Sequence, residues 1–240
     1  EIICLSSETK SGKTDWSLRT SPEPVFYICF DTNGREIAKK IKRQTGRDIR
    51  IAELDIKARN LNQAEYKQEW QHFTDAWYEA VESGIQGTLV VDTWTEAYES
   101  CRLAEFGKTE QVRSRYYGPI NADLKLKMRD LIKSDLSAVL IGKMRDEYLN
   151  DERTGKRQPA VWGDTAFQVD SNLEMWRDDA ALAGWSENQS PTFTEDGQPV
   201  WPFHFFVVDC RNNMALCKRD FTTNLVGFDG WLELVYGGQG

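Results

Sequence analysis

The chain has 240 residues, of which 40% are hydrophobic and 12% aromatic, and a formal net charge of -8. Such a chain has enough to bury to argue against disorder, and a mean hydropathy of -0.59 without an apolar run near ~18 residues speaks against a membrane-spanning helix. The negative charge excludes a protein that coats nucleic acid by bulk charge, so any such contact needs a local basic patch.

The opening Glu1-Ile2-Ile3-Cys4-Leu5 is too short for a secretory signal and lacks its basic leader. Residues 2–6 predict a short buried strand, followed by a loop and a helix that starts at Lys13. Val25-Phe26-Tyr27-Ile28-Cys29-Phe30 is continuously apolar and rich in strand formers, which predicts a second buried strand. A basic helix over 34–44 stops at Gly46, and residues 49–54 alternate as a third strand. Tyr66, Trp70, Phe73, Trp77 and Val81 then recur at three- and four-residue steps, one apolar face of a long helix that ends at Gly84. Residues 88–91 predict a fourth strand, 93–104 a helix, and Ile120, Leu124, Met128, Leu131 and Ile132 mark another. Residues 138–141 predict a fifth strand. Alternation of this kind means an α/β fold around a mostly parallel central sheet flanked by helices.

After about residue 146 turn signals multiply, with Asn150-Asp151, Thr154-Gly155, Asp196-Gly197 and the Pro199-Val200-Trp201-Pro202 stretch. Residues 203–208 and 214–218 predict two strands joined through Asn212-Asn213 as a hairpin. We read 1–240 as a single domain, with 1–146 as its core and 147–240 as a β-hairpin-rich C-terminal extension of the same sheet. The terminal 237–240 predicts a frayed end. The five cysteines (Cys4, Cys29, Cys101, Cys210 and Cys217) never fall in a C-x-x-C pattern. That spacing speaks against a disulfide framework or a zinc site and for a reducing, cytoplasmic setting. His72 and His204 have no spaced partners and are read as structural.

The chemistry is carried by Ser7-Glu8-Thr9-Lys10-Ser11-Gly12-Lys13-Thr14, which follows the first strand and opens a helix. It matches the phosphate-binding pattern G-x-x-x-x-G-K-[ST] at every fixed position except the first, where Ser7 replaces Gly. Gly12 lets the backbone approach phosphates, and successive N–H groups with the helix N-terminus form an anion nest that reaches to Asp15. Lys13 brings a point charge to the β- and γ-phosphates, and the Thr14 hydroxyl is suited to Mg²⁺. Asp92 ends the strand Leu89-Val90-Val91 and would hold the metal, directly or through water. The competing use of Asp92 is as a cap on the helix that follows.

The P-loop with Lys10 before Ser11-Gly12-Lys13-Thr14, the prompt second strand and the Leu89-Val90-Val91-Asp92-Thr93 strand resemble RecA-like ATPases. More narrowly they resemble the phage-encoded ATP-binding group, small single-core relatives of RecA, RadA and KaiC associated with phage recombination. The resemblance covers residues 1–146 well and 200–220 loosely. It implies a RecA-like P-loop NTPase fold, ATP and Mg²⁺ as cofactors, and hydrolysis between adjacent subunits of a homo-oligomer. It also implies coupling to single-stranded DNA, single-strand-binding or recombinase proteins as partners, and the host cytoplasm as the setting.

Residue by residue the carry-over is mixed. The family's catalytic Glu, just after the second strand, corresponds to Asn33 in Phe30-Asp31-Thr32-Asn33-Gly34, and Asp31 or Glu36 is the candidate replacement. An amide can position water but cannot accept its proton. Lys143 stands where the fifth strand's γ-phosphate sensor is expected, and its competing reading is a solvated strand end. Arg211, in Asp209-Cys210-Arg211, retains the arginine of a Lys-x-Arg pair that reaches into a neighbour's site, against the reading of a surface Arg near a turn. Trp16, one turn into the P-loop helix, is core or near the nucleotide.

Residues 108–129 carry six cations (Lys108, Arg113, Arg115, Lys125, Lys127, Arg129) against Glu110 and Asp123, +4 in a chain of net charge -8. Arg113-Ser114-Arg115-Tyr116-Tyr117 interleaves cations with aromatics, which suits a backbone track with stacked bases. The competing reading is a solvated helix face with two tyrosines tucked under it. In the RecA-like layout the loops after the metal-binding strand and after the fifth strand face DNA. The second of these, 146–163, brings Lys156 and Arg157, and is alternatively a plain β-hairpin. Two rivals to the DNA-stimulated ATPase stay open: a P-loop nucleotide or small-molecule kinase, and a non-hydrolysing nucleotide-gated binding or scaffold module.

Overall fold

The computed structural model describes residues 1–8, 10–30, 32–54, 61–108, 113–149, 152–183, 192–193, 199–200, 202–223 and 226–237. The chain alternates β1 (Ile2–Ser7), α1 (Lys13–Thr20), β2 (Val25–Cys29), α2 (Thr32–Thr45), β3 (Ile49–Glu53), α3 (Gln63–Val81), β4 (Gly87–Asp92), α4 (Trp94–Phe106) and α5 (Gly118–Lys133). Every residue of β1, β2 and β4 is buried, as expected of parallel strands covered on both faces. α3 begins in a reciprocal capping box between Asn62 and Glu65. α4 is capped by Thr93, whose hydroxyl accepts from the Glu96 N–H at 3.2 Å. A capping role for Asp92 is thereby removed.

β5 (Leu136–Leu149) runs on to Leu149 instead of stopping at Ile141, and β6 (Glu152–Pro159) folds back on its outer half in an antiparallel hairpin, with Asp146 opposite Arg157. Beyond them come α6 (Thr165–Gln168), β7 (Ser171–Arg177), α7 (Asp179–Ala183), the short pair β8 (Thr192–Phe193) and β9 (Pro199–Val200), β10 (Phe203–Cys210), β11 (Asp220–Thr222) and α8 (Phe228–Tyr236). The strand expected over 214–218 is instead a 3₁₀ turn, Met214–Leu216, and the returning strand is β11. The Asn213 side chain accepts from the Ala215 N–H at 3.2 Å, a local bond that draws the backbone out of extended conformation. Residues 238–240, expected to fray, lie outside the described residues.

The sheet order is β11-β10-β7-β1-β5-β4-β2-β3. The six strands from β7 to β3 are parallel, while β10 and β11 add antiparallel at one edge. Successive residues of β1 enter different cores. Ile2 and Cys4 pack with Phe73, Trp77, Trp94 and Leu124 of α3, α4 and α5; Ile3 and Leu5 pack with Trp16, Ile41, Phe228 and Trp231 of α1, α2 and α8. Trp16 is therefore a core residue. It is 5% exposed, and its indole N–H donates to the Val226 carbonyl at 3.0 Å.

No helix among the described residues is long and apolar enough to cross a membrane. The parallel strands deliver their C-terminal ends to one edge, where Ser7 is paired with Lys143 and Asp92 with Ile141 in register.

Candidate nucleotide site

The loop between β1 and α1 turns through two residues in the left-handed region, Lys10 (φ 62°) and Gly12 (φ 90°). Gly12 supplies a conformation that side-chain-bearing residues adopt at a cost, and the Phe203 ring lies 3.4 Å from where its Cβ would stand. Ser7, in place of the expected glycine, is the last residue of β1. Its hydroxyl donates to the Glu8 carbonyl at 2.7 Å, contacts the Ser11 hydroxyl and accepts from the Lys13 ammonium.

The Lys13 ammonium also donates to the Ser7 and Glu8 carbonyls at 3.3 and 2.9 Å. Burial lowers its pKa to about 8, opposed by Asp92 and Glu8 and assisted by the nearby Lys143 cation.

Thr14, the first residue after Lys13, donates its hydroxyl to Asp92 Oδ2 at 2.6 Å. Asp92 is 5% exposed and is joined to Thr93 by a cis peptide. Its Oδ2 also accepts from the Tyr27 hydroxyl at 3.0 Å. Burial, then the Asp92 carboxylate, raise Tyr27 far above the usual phenol range, so it remains a donor. α2 begins directly over this carboxylate: a Cβ on Gly34 would collide with the Tyr27 hydroxyl and lie 3.3 Å from Asp92 Oδ2.

Thr14 Oγ1 and Asp92 Oδ2 form a pair of hard oxygen donors beside the loop between β1 and α1. This is the donor set that suits Mg²⁺, which takes one or two protein oxygens together with phosphate and water. When bound there, the ion would neutralise phosphate charge.

The other predicted residues are placed as follows. Lys143 pairs through its ammonium with Glu96 in the first turn of α4, and its N–H donates to the Thr95 hydroxyl at 3.0 Å. It stands within the strand, beside Ser7, because β5 continues past it. Asp15 points along α1 and is held by Arg19 Nε at 2.9 and 3.0 Å. Glu36 is exposed and paired with Lys39 and Arg35, of which Lys39 contributes most to lowering its pKa. Asn33 is exposed at the start of α2. Thr9 and Asp31 lie outside the described residues.

Arg211 follows Cys210, which pairs with Ser171 at the end of the sheet remote from the P-loop, and its guanidinium donates to the Phe167 carbonyl at 2.8 Å.

The basic segment is less uniform than its charge count. Arg113 and Tyr116 are exposed, whereas Tyr117 packs edge-on against Phe106, ring centroids 5.6 Å apart. The Arg115 side chain lies outside the described residues. Lys127 is 2% exposed and bonded to Asp123 at 2.7 Å beneath Trp70, and Lys125 pairs with Asp164 at 2.9 Å. Lys156 is exposed on β6.

Arg157 leaves that hairpin to meet Glu8, with Nη1 to Oε1 at 2.9 Å. Arg177, at the end of β7, donates to the Lys10 carbonyl at 3.3 Å. Tyr27, Glu96 and Arg177 carried no motif. A polar tyrosine inside an otherwise apolar strand was the one available signal among them.

No protein-family model and no curated protein sequence matches the chain. Among solved structures it is similar to a prototypical ATPase from the type III secretion system of pathogenic bacteria, at 13% identity and a TM-score of 0.51. The match covers 76% of this chain and 54% of that one, so this chain spans about half its length. At that identity the likeness is one of fold. The shared fold is a mostly parallel central sheet flanked by helices.

Proposed function

We propose that the chain is an ATP- and Mg²⁺-dependent P-loop ATPase that acts on single-stranded DNA in recombination or replication, with ATP held at the interfaces of a homo-oligomer. The observation that carries the nucleotide half is the meeting of Thr14 and Asp92 at 2.6 Å, beside the Lys13 ammonium, at the edge where parallel strands end. Ligands of open α/β sheets bind at that edge. Lys13 exchanges carbonyl oxygens for phosphate oxygens. Thr14 and Asp92 hold the metal. Lys143, already beside Ser7, sits where a terminal phosphate can be sensed.

The DNA half rests on the resemblance and on exposed Arg113, Tyr116 and Lys156, with Arg115 alongside in sequence. Arg211 remains the candidate for a cation offered to a neighbouring subunit.

A second reading, a nucleotide-gated binding module with little turnover, is favoured by one observation. Among the described residues at the start of α2, Asn33 carries no carboxylate and that of Glu36 is paired on the surface. ATP turnover measured with and without single-stranded DNA, with Lys13→Ala as the blank, separates the two. Turnover that rises with DNA and vanishes in the variant supports the ATPase. Tight ATP binding without turnover in either condition supports the gated module.

A further inference from the structure

A carboxylate on the second residue of a phosphate-binding loop is an electrostatic liability, since the loop otherwise presents N–H groups and a lysine to its ligand. Glu8 is such a residue, and Arg157 compensates for it. Arg157 approaches with both prongs, Nη1 to Oε1 at 2.9 Å and Nη2 to Oε2 at 3.3 Å. This is the two-pronged geometry that guanidinium also offers to phosphate. The rest of the side chain is tied to its own hairpin: Nη2 donates to the Met144 carbonyl at 3.2 Å, and Nε lies 3.4 Å from Asp146 Oδ1. Asp146 is shared with Arg153 at 2.8 Å. The shaft is thus anchored on β5 and β6 while the fork points at the loop.

The position along the loop matters. The Glu8 carbonyl is 2.9 Å from the Lys13 ammonium, the group that meets the outer phosphates in a P-loop. Inner phosphates would meet the backbone N–H groups toward the N-terminus of α1, at the other end of the loop. Lys13 and Arg157, two of the cations at the outer end, therefore hold protein oxygens.

We propose that Arg157 is a phosphate-binding residue that transfers from Glu8 to the terminal phosphate and so sets a preference for nucleoside triphosphate over diphosphate. This rests on the nucleotide-site reading above. Glu8 serves as the stand-in anion when the site is free. It also opposes entry of a triphosphate whenever Arg157 is missing.

The test is equilibrium binding of mant-ATP and mant-ADP, each with Mg²⁺, to the full chain and to Arg157→Ala, Glu8→Gln and the double variant. Arg157→Ala is expected to weaken mant-ATP by about tenfold or more and mant-ADP by less than about threefold, the scale of one charge-assisted contact. Glu8→Gln frees the arginine and is expected to tighten mant-ATP relative to mant-ADP. The double variant should recover part of the mant-ATP affinity lost in Arg157→Ala.

Equal weakening of both ligands by Arg157→Ala, or no change in either, overturns the proposal. So does a Glu8→Gln protein with an unaltered ratio, and that variant remains decisive even if Arg157→Ala fails to fold. Lys13→Ala separates the two levels. If it leaves mant-nucleotide binding intact, the nucleotide-site reading falls and the Arg157 proposal with it. If it abolishes binding while Arg157→Ala acts equally on both ligands, only the Arg157 proposal is lost.

Discussion

The strands β1, β2 and β4 and the strands β5 (beyond Ile141), β6, β7 and β10 contribute to the same edge of the sheet in different ways. The first set is buried on both faces and delivers Ser7 and Asp92 from apolar runs. The second set alternates or is openly polar, as in the exposed Glu152–Pro159 strand, and it delivers Arg157, Arg177 and Phe203 to the loop from the far side. Deep burial makes a strand conspicuous and leaves few of its side chains free for chemistry. Partial exposure hides a strand from hydrophobic periodicity and leaves its charges available.

The comparison is first put at risk by stability. Trp77 and Trp231 are each fully buried, one in each core. If the C-terminal strands and α8 are integral to the fold, Trp77→Ala and Trp231→Ala should each cost about 3–5 kcal/mol in denaturant unfolding. A Trp231→Ala protein with an unshifted midpoint would show the edge region to be an appendage.

Next in size, Lys13→Ala should weaken ATP binding by on the order of a hundredfold, as expected when one partner of a hydrogen-bonded charge pair is truncated. The unfolding midpoint should change little, because the Lys13 ammonium bonds to oxygens of its own loop. Calorimetric titration paired with a melt checks both halves.

Gly34→Ala sharpens the account of Asp92. Its methyl group would collide with the Tyr27 hydroxyl, so a loss of about 1–3 kcal/mol is expected from overpacking, together with weaker dependence of ATP binding on Mg²⁺. An unchanged Mg²⁺ titration would mean that α2 does not hold the carboxylate in place.

The smallest effect is in pH. Because the Lys13 pKa is lowered to about 8, the ammonium loses its proton above that value, and ATP affinity should fall by up to about tenfold per pH unit there. The linked stability runs the other way. The folded state binds fewer protons than the unfolded chain between about 8 and the ordinary lysine value of about 10.4, so this group's contribution rises with pH across that window. Affinity that stays flat to pH 9.5 would remove Lys13 from phosphate binding or place its pKa higher.

Much of this is legible in the order of residues alone. The continuous apolar runs at β1, β2 and β4 and the three- and four-residue spacing in α3 announce the α/β alternation. The P-loop and Asp92 follow from local pattern. The outer half of β5 is not legible, because Lys143, Arg145, Asp146 and Glu147 carry no alternation that distinguishes a hairpin strand from a loop. β7 is missed because its inward Leu173 and Met175 alternate with Asn172, Glu174 and Trp176 on a partly open face. The +4 segment misleads in the opposite direction: Lys127 and Lys125 look solvated in sequence and are spent on Asp123 and Asp164.

The order of residues fixes the local things: which runs bury, where helices start, and that a Gly-Lys-Thr turn follows a buried strand and opens a helix. Those depend on residues within a turn or two of one another. Tertiary structure alone decided that Thr14 would meet Asp92, that Tyr27 would donate to the same oxygen, and that Arg157 would answer the charge on Glu8. These pairs lie far apart in the chain, and only strand order and register bring them within a few ångströms.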